Sequence, residues 1–357
     1  MAMSNVIFGR LIAFADALGV PINDPTTTRF LARHSDEDAD LMAKAKVTFY
    51  DVTRKIRLFR LVHNECVYFC VFGLPKLEEL PTGLDEHPLT PGILQSCIVE
   101  GDIQPRRTVS GYDIKDAIEI VPLNDEGRYV GHDFAPVAAL FPPAAVFKAS
   151  TNEDFHSSNL RVISALIAQS YEDGPLELGE QNIRSLVGII EGGSPHIPFE
   201  NLLQGMLSIY WSSLFLELYR CIEQLYAAPR IIKLCEHWPS KLPIHDLARQ
   251  IEKSLGWRPK EDEALAGLLA ECDTSTVEAA CSAFNVLEAD EDQKSTPSER
   301  LAKTIYKLRN SIVHFRPATK VEKKGDAEWR VITDAMINLV DELYAKHGER
   351  FFPPLAA

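Results

Sequence analysis

The run Gly192-Gly193-Ser194-Pro195 constrains this chain most, because hydrophobic periodicity changes across it. Before it, several short stretches alternate apolar and polar residues at the period of two that a half-buried strand needs. After it, apolar residues recur at helical spacing almost to the end. The expectation is an α+β chain: a strand-rich mixed domain over residues 1–195, then an all-α helical bundle over 196–357. A length of 357 residues is ample for two such cores.

Within the first half, a short acidic helix is expected at Ser35–Lys46. Lys46–Val52 and Ile56–Val62 alternate, Cys66–Leu74 is nearly continuously apolar, and His63-Asn64-Glu65 supplies a turn. Together they predict a small antiparallel sheet with a buried member. Further strands are expected at Leu94–Glu100, Ile118–Val121 and Arg128–His132, then helices at Ser158–Tyr171 and Gly179–Glu191.

In the second half, Phe199–Ala228 carries Leu202, Leu203, Met206, Leu214, Leu218, Ile222 and Leu225, close to helical spacing. Shorter helices are expected at Ile244–Leu255, Glu261–Cys272 and Thr276–Glu288. The next helix has a complete start signal, with Thr296 as N-cap, Pro297 at the first helical position and Glu299 closing a capping box. Its stripe of Leu301, Ile305, Leu308, Ile312 and Phe315 should face the bundle, and Pro317 should stop it. A last helix is expected over about Ala327–Lys346.

The net charge of −14 argues against a protein that coats nucleic acid with its whole surface. Yet Glu299 to Arg330 holds nine Lys/Arg and four Asp/Glu, a local balance of +5. Seven cysteines with no CxxC pair favour a reducing cytoplasm over a disulfide framework. No signal peptide and no apolar run of membrane-spanning length is read, so no membrane partner is expected.

Inside the basic island lies Arg309-Asn310-Ser311-Ile312-Val313-His314. Histidine can move a proton near neutral pH, and arginine grips phosphate oxygens with a planar, permanently charged fork. On a helix the two would sit roughly 140° apart around the axis and about 7.5 Å apart along it, at the edge of a groove. Asn310 and His314, four apart, would share a face. One such pair is a sparse site; two pairs facing each other across a twofold axis would make a composite cleft.

The pattern Arg309-Asn310-x3-His314 resembles the signature of the HEPN superfamily of helical-bundle ribonucleases. The surrounding LAKTIYKLRNSIVHF is similar to their motif helix, and SSLFLELYRCIEQLY (212–226) to the first bundle helix of the ApeA-like branch found in prokaryotic antiviral defence. The resemblance covers Phe199 to His347. It implies a homodimeric, metal-independent endoribonuclease, a toxic effector that halts growth during phage infection. His314 would take the proton of a ribose 2′-OH, Arg309 would neutralise the phosphoryl charge, and Asn310 would orient either. Products would be a 2′,3′-cyclic phosphate and a 5′-hydroxyl. By analogy, the domain before the bundle would bind a phage-derived or protein trigger. The alternative is a non-catalytic dimeric scaffold of the same shape.

Lys303, Lys307, Arg316, Lys320, Lys323 and Lys324 are candidate contacts to RNA phosphates or simply solvated charges, and Tyr306 stacks on a base or packs. Glu217, Arg220 and Glu223, at i, i+3 and i+6, either form an exposed ion-pair face or offer the motif a polar partner. His63, Cys66 and Cys70 lack a fourth metal ligand at customary spacing and read as buried strand residues. Asp102 with Asp113-Ile114-Lys115 resembles a metal-nuclease pattern that arises readily by accident. No phosphate-binding GxxxxGK[ST] loop or dinucleotide fingerprint occurs, and no cofactor or metal is expected.

Overall fold

The computed structural model describes residues 2–32, 35–74, 77, 79–150, 158–171, 174–238, 240–256, 260–286, 295–314 and 324–353. The chain is α+β, as its periodicity predicts, and divides into two compact units, residues 1–159 and 160–357.

The first unit runs α1 (Ala2–Ala17), α2 (Asp36–Lys44), β1 (Lys46–Asp51), β2 (Arg57–His63), β3 (Cys66–Phe72), β4 (Leu84–His87), α3 (Pro91–Glu100), α4 (Gly111–Ile118), α5 (Phe134–Ala138) and β5 (Ala144–Ala149). The strands form one antiparallel sheet in the order β1-β2-β3-β5-β4. β2 and β3 meet at a two-residue turn in which both Asn64 and Glu65 take left-handed φ, 48° and 62°. That geometry matches the strand twist and pairs His63 with Cys66. Phe59, Leu61, Cys70 and Phe72 on one sheet face pack with Ile7 and Leu11 of α1, Ile93 and Cys97 of α3, and Ile114 of α4.

Several expectations are corrected here. Leu94–Glu100 is helical, not extended: Thr90 caps α3, its hydroxyl accepting from the Ile93 N–H, and Pro91 opens the first turn. Residues Pro91 to Ile98 are all buried, so no polar face exposes the helical period. Ile118 ends α4 rather than starting a strand, and 128–132 contributes only isolated bridges, Leu123 to Tyr129 and Leu31 to His132. No element was expected at α1, β4 or β5.

The second unit runs α6 (Asn159–Gln169), α7 (Glu180–Gly192), α8 (Phe199–Met206), α9 (Trp211–Glu223), α10 (Ala228–His237), α11 (Ile244–Leu255), α12 (Glu261–Leu269), α13 (Thr274–Ala283), α14 (Pro297–Val313) and α15 (Asp326–Phe351). Its centre is the contact of α9 with α15, where Leu214, Leu218 and Ile222 and Met336, Val340 and Leu343 are all buried to 0 % exposure. The Tyr344 hydroxyl ties the pair by donating to the Cys221 carbonyl at 2.9 Å.

The domain boundary expected at 195 therefore moves to 159/160. Gly192-Gly193 ends α7 instead, with the Gly193 N–H capping Ile189 O. The side chain of Arg161, 2 % exposed, donates from Nε to Ile190 O at 2.6 Å and from Nη2 to Glu191 O at 2.5 Å. This grip on the open carbonyls of α7 binds the segment before Gly192 into the helical unit. The single helix expected over Phe199–Ala228 is two, α8 and α9, and α10 starts where it was expected to end. Ser208 donates to Gly205 O at the break, and a Cβ on Gly205 would come within 2.7 Å of Leu214 Cδ1, so the glycine lets α8 lie close to α9 without displacing that side chain.

One buried group makes the first unit acid-sensitive. His132 is 1 % exposed, its Nε2 accepts and donates no hydrogen bond among the described residues, and its ring lies 5.0 Å from Phe8. Burial, reinforced by Arg29, holds its pKa down to about 4. The unfolded chain then takes up this proton first, so stability is lost as pH falls from about 6.5 toward 4, by at most about 3 kcal/mol. Circular-dichroism melts of the parent and His132→Leu check this: the parent's midpoint should fall more between pH 7 and 4.5. Parallel pH profiles would refute it.

Candidate active site at the end of helix α14

The capping box expected at Thr296 is formed, with Thr296 Oγ1 accepting from Glu299 N and Glu299 Oε2 accepting from Thr296 N. It starts α14 in a fixed rotational phase, and Leu301 and Ile305, both 0 % exposed, lock its first half against α12, α13 and α9. The stripe does not continue at full burial. Leu308 and Ile312 are half-buried and Val313 is 46 % exposed, so the last turn presents an open apolar edge. Phe315 lies outside the described residues, as do Arg316, Pro317, Lys320 and Lys323.

Arg309 is held from several sides. Its side chain is 19 % exposed, Nη1 donates to Asn310 Oδ1 at 3.0 Å, and Cζ lies 5.7 Å from the centre of the Tyr219 ring. Its Nη2 stands 4.0 Å from Glu261 Oε2, an ion pair too long for a hydrogen bond, and that oxygen accepts none among the described residues. The phenol beneath the guanidinium is fixed in turn: Tyr226 donates its hydroxyl proton to Tyr219 Oη at 2.6 Å. Burial, with the Glu261 and Glu223 carboxylates, pushes the Tyr219 phenol up to about 12, so it stays neutral. Glu223 is raised by burial and by Glu261, with Arg309 and Arg220 opposing.

His314 is the C-cap of α14. Its N–H still bonds Asn310 O at 2.9 Å, which keeps its Cα in the helical register with Asn310, while ψ of 102° turns the chain out of the helix. The residue is exposed. Lys303 and Lys307 are exposed on α14, and Tyr306 is half-buried. Asn310 therefore orients Arg309 in this conformation and makes no side-chain bond to His314 among the described residues.

The three polar residues of α9 separate. Glu217 is only 9 % exposed and accepts from Asn201 Nδ2 at 2.7 Å, a tie to α8, and from the exposed Arg220, so the expected ion pair forms with its acid end buried. Glu223 alone reaches the neighbourhood of Arg309. Tyr219 and Glu261 were not singled out from sequence. Tyr219 reads as one more apolar-face residue, and Glu261 as part of the acidic first turn that favours any helix start. Beside them opens a cleft of about 630 Å³, whose lining includes Glu223, Tyr226, His245, Arg249 and Glu261.

The residues considered for metal chemistry have other partners. His63 Nε2 pairs with Asp40 at 2.9 Å, Cys70 is in the core, Asp102 pairs with Arg10, and Asp113 closes the capping box of α4. No helix among the described residues is long and apolar enough to cross a membrane. Compared with known proteins, the chain matches no family model, no curated protein and no solved structure.

Proposed function

We propose that the second unit is a metal-independent endoribonuclease of the HEPN type, with Arg309 and His314 as its catalytic residues and RNA as substrate. One observation carries the reading: a guanidinium steadied by Tyr219 and Asn310 shares the end of one helix with an exposed histidine. Arg309 would bind the scissile phosphate and offset the charge that grows on its oxygens. His314 would accept the 2′-OH proton as O2′ attacks phosphorus. The P–O5′ bond breaks, and O5′ takes a proton from the imidazolium of a second copy. The requirement for an internal nucleophile selects RNA over DNA.

The half-buried Leu308 and Ile312 with exposed Val313 give the last turn an apolar edge suited to a twofold contact, which would bring two motifs together. A toxic activity of this kind needs restraint, and the first unit is the natural place for a phage-derived or protein trigger to act; this role rests on analogy alone. Arg309 also has partners within its own unit, which favours a second reading: a non-catalytic dimeric scaffold in which Arg309 only packs.

The two readings part in one experiment. Mixed RNA is incubated with the protein in excess EDTA, and the ends are characterised by phosphatase sensitivity and mass spectrometry. Cyclic-phosphate ends from the parent, absent with Arg309→Ala and with His314→Ala, support the nuclease. Intact RNA throughout, with harmless expression of the parent, leaves the scaffold.

A further inference from the structure

The cleft beside Arg309 has a chemistry that a phosphate site would not choose. Its lining brings Glu223, Glu252 and Glu261 together with one guanidinium, Arg249, so an anionic group entering it meets mostly negative charge. Its volume of about 630 Å³ is that of a small-molecule site. One wall is aromatic. His245, with its side chain 40 % exposed, has its ring 5.6 Å from that of Phe351 and 5.4 Å from that of Phe352, and all three line the cleft. Glu261 is shared: it lines the cleft and stands 4.0 Å from Arg309.

A ligand for this cleft must be flat, must offer N–H donors to carboxylates, and must also offer acceptors to a guanidinium. A simple polyamine satisfies the carboxylates but leaves Arg249 and the aromatic wall without a partner. Among nucleobases, guanine carries both faces: N1–H and the 2-amino group are parallel donors matched to one carboxylate, and O6 with N7 is the acceptor pair that an arginine fork reads. Adenine presents no such donor pair, and uracil and cytosine lack the purine acceptor edge. We infer that the cleft seats a guanine base, with Glu223 accepting from N1–H and the 2-amino group, Arg249 donating to O6 and N7, and His245 stacking on the ring.

Resting on the proposed nuclease, the seated base belongs to a nucleotide flanking the phosphate held by Arg309, so cleavage would favour RNA with guanosine there. Burial raises the Glu223 carboxyl, and a pair of N–H donors would bring it back toward the charged form.

Nucleosides test the cleft separately from the chemistry, because they carry no phosphate. Isothermal titration calorimetry of the full chain with guanosine, adenosine, cytidine and uridine should show guanosine tightest, by about tenfold over adenosine. Glu223→Gln, and separately the exposed Arg249→Gln, should each weaken guanosine about tenfold without moving the melting temperature. Equal affinity for all four nucleosides, no heat with guanosine, or binding of spermidine alone would overturn the inference. Guanosine binding by a protein that never cuts RNA would sustain the cleft and sink the nuclease. Cutting with no base preference and no guanosine binding would do the reverse.

Discussion

Replacing His314 with alanine should cut RNA cleavage by a factor of about 10² to 10⁴, the range associated with loss of a positioned proton acceptor. The same change should leave folding untouched, because the side chain is exposed at the helix cap and the backbone bond to Asn310 does not depend on it. That combination separates a chemical role from a structural one. Arg309 differs on both counts. Its removal should cost about 10² to 10³ in rate through lost charge stabilisation. It should also cost about 1 kcal/mol of stability, because the guanidinium lies over Tyr219. Arg309→Lys, which keeps the charge and loses the fork, should recover stability better than rate. Initial rates on a labelled RNA, beside thermal melts of each variant, provide the measurement. A His314→Ala protein that cuts at the parent's rate would eliminate the proposed mechanism.

The largest expected loss of stability belongs to Arg161, far from the motif. Arg161→Leu keeps much of the bulk but strips the donors from Ile190 O and Glu191 O at the end of α7. A buried polar group left without a partner costs about 1–3 kcal/mol, and the Ile190 carbonyl is buried while the Glu191 carbonyl is only part-buried, so the predicted loss is roughly 2–4 kcal/mol. All four tryptophans, Trp211, Trp238, Trp257 and Trp329, belong to the second unit, so their fluorescence in urea reports that unit directly. The urea midpoint should drop by about 1–2 M for a slope of about 2 kcal/mol/M. An unchanged midpoint would mean that α7 does not depend on this anchor.

How far the fold could be read in advance depended on whether one face of each element meets water. β2 was legible because most of its length alternates between a buried and a part-exposed face, and the start of α14 was legible to the residue because its cap and first turn announce themselves chemically. α3 was misread for the opposite reason. Its first eight residues are buried on every side, and a buried helix and a buried strand are both simply apolar. The Thr90-Pro91 start would have corrected this, being the same signal as Thr296-Pro297. The boundary was misplaced because Gly-Gly-Ser-Pro marks where a helix stops, not whether the next one packs elsewhere. For the site, the motif itself was visible, since its residues are neighbours on one helix. Its surroundings were not: Tyr219 and Glu261 come from α9 and α12, and no local pattern says which aromatic or which acid will meet Arg309 after packing.

The Thr296 cap acts as the zero mark of a protractor. Each residue of α14 advances the dial by 100°, so the directions in which residues 309 and 314 point are set more than three turns upstream. An alanine inserted after Arg300 would turn Arg309 away from Tyr219, and His314 with it, while every residue of the motif stayed present. Inserting four in a row, which misses full rotation by only about 40°, should damage the alignment far less than inserting two.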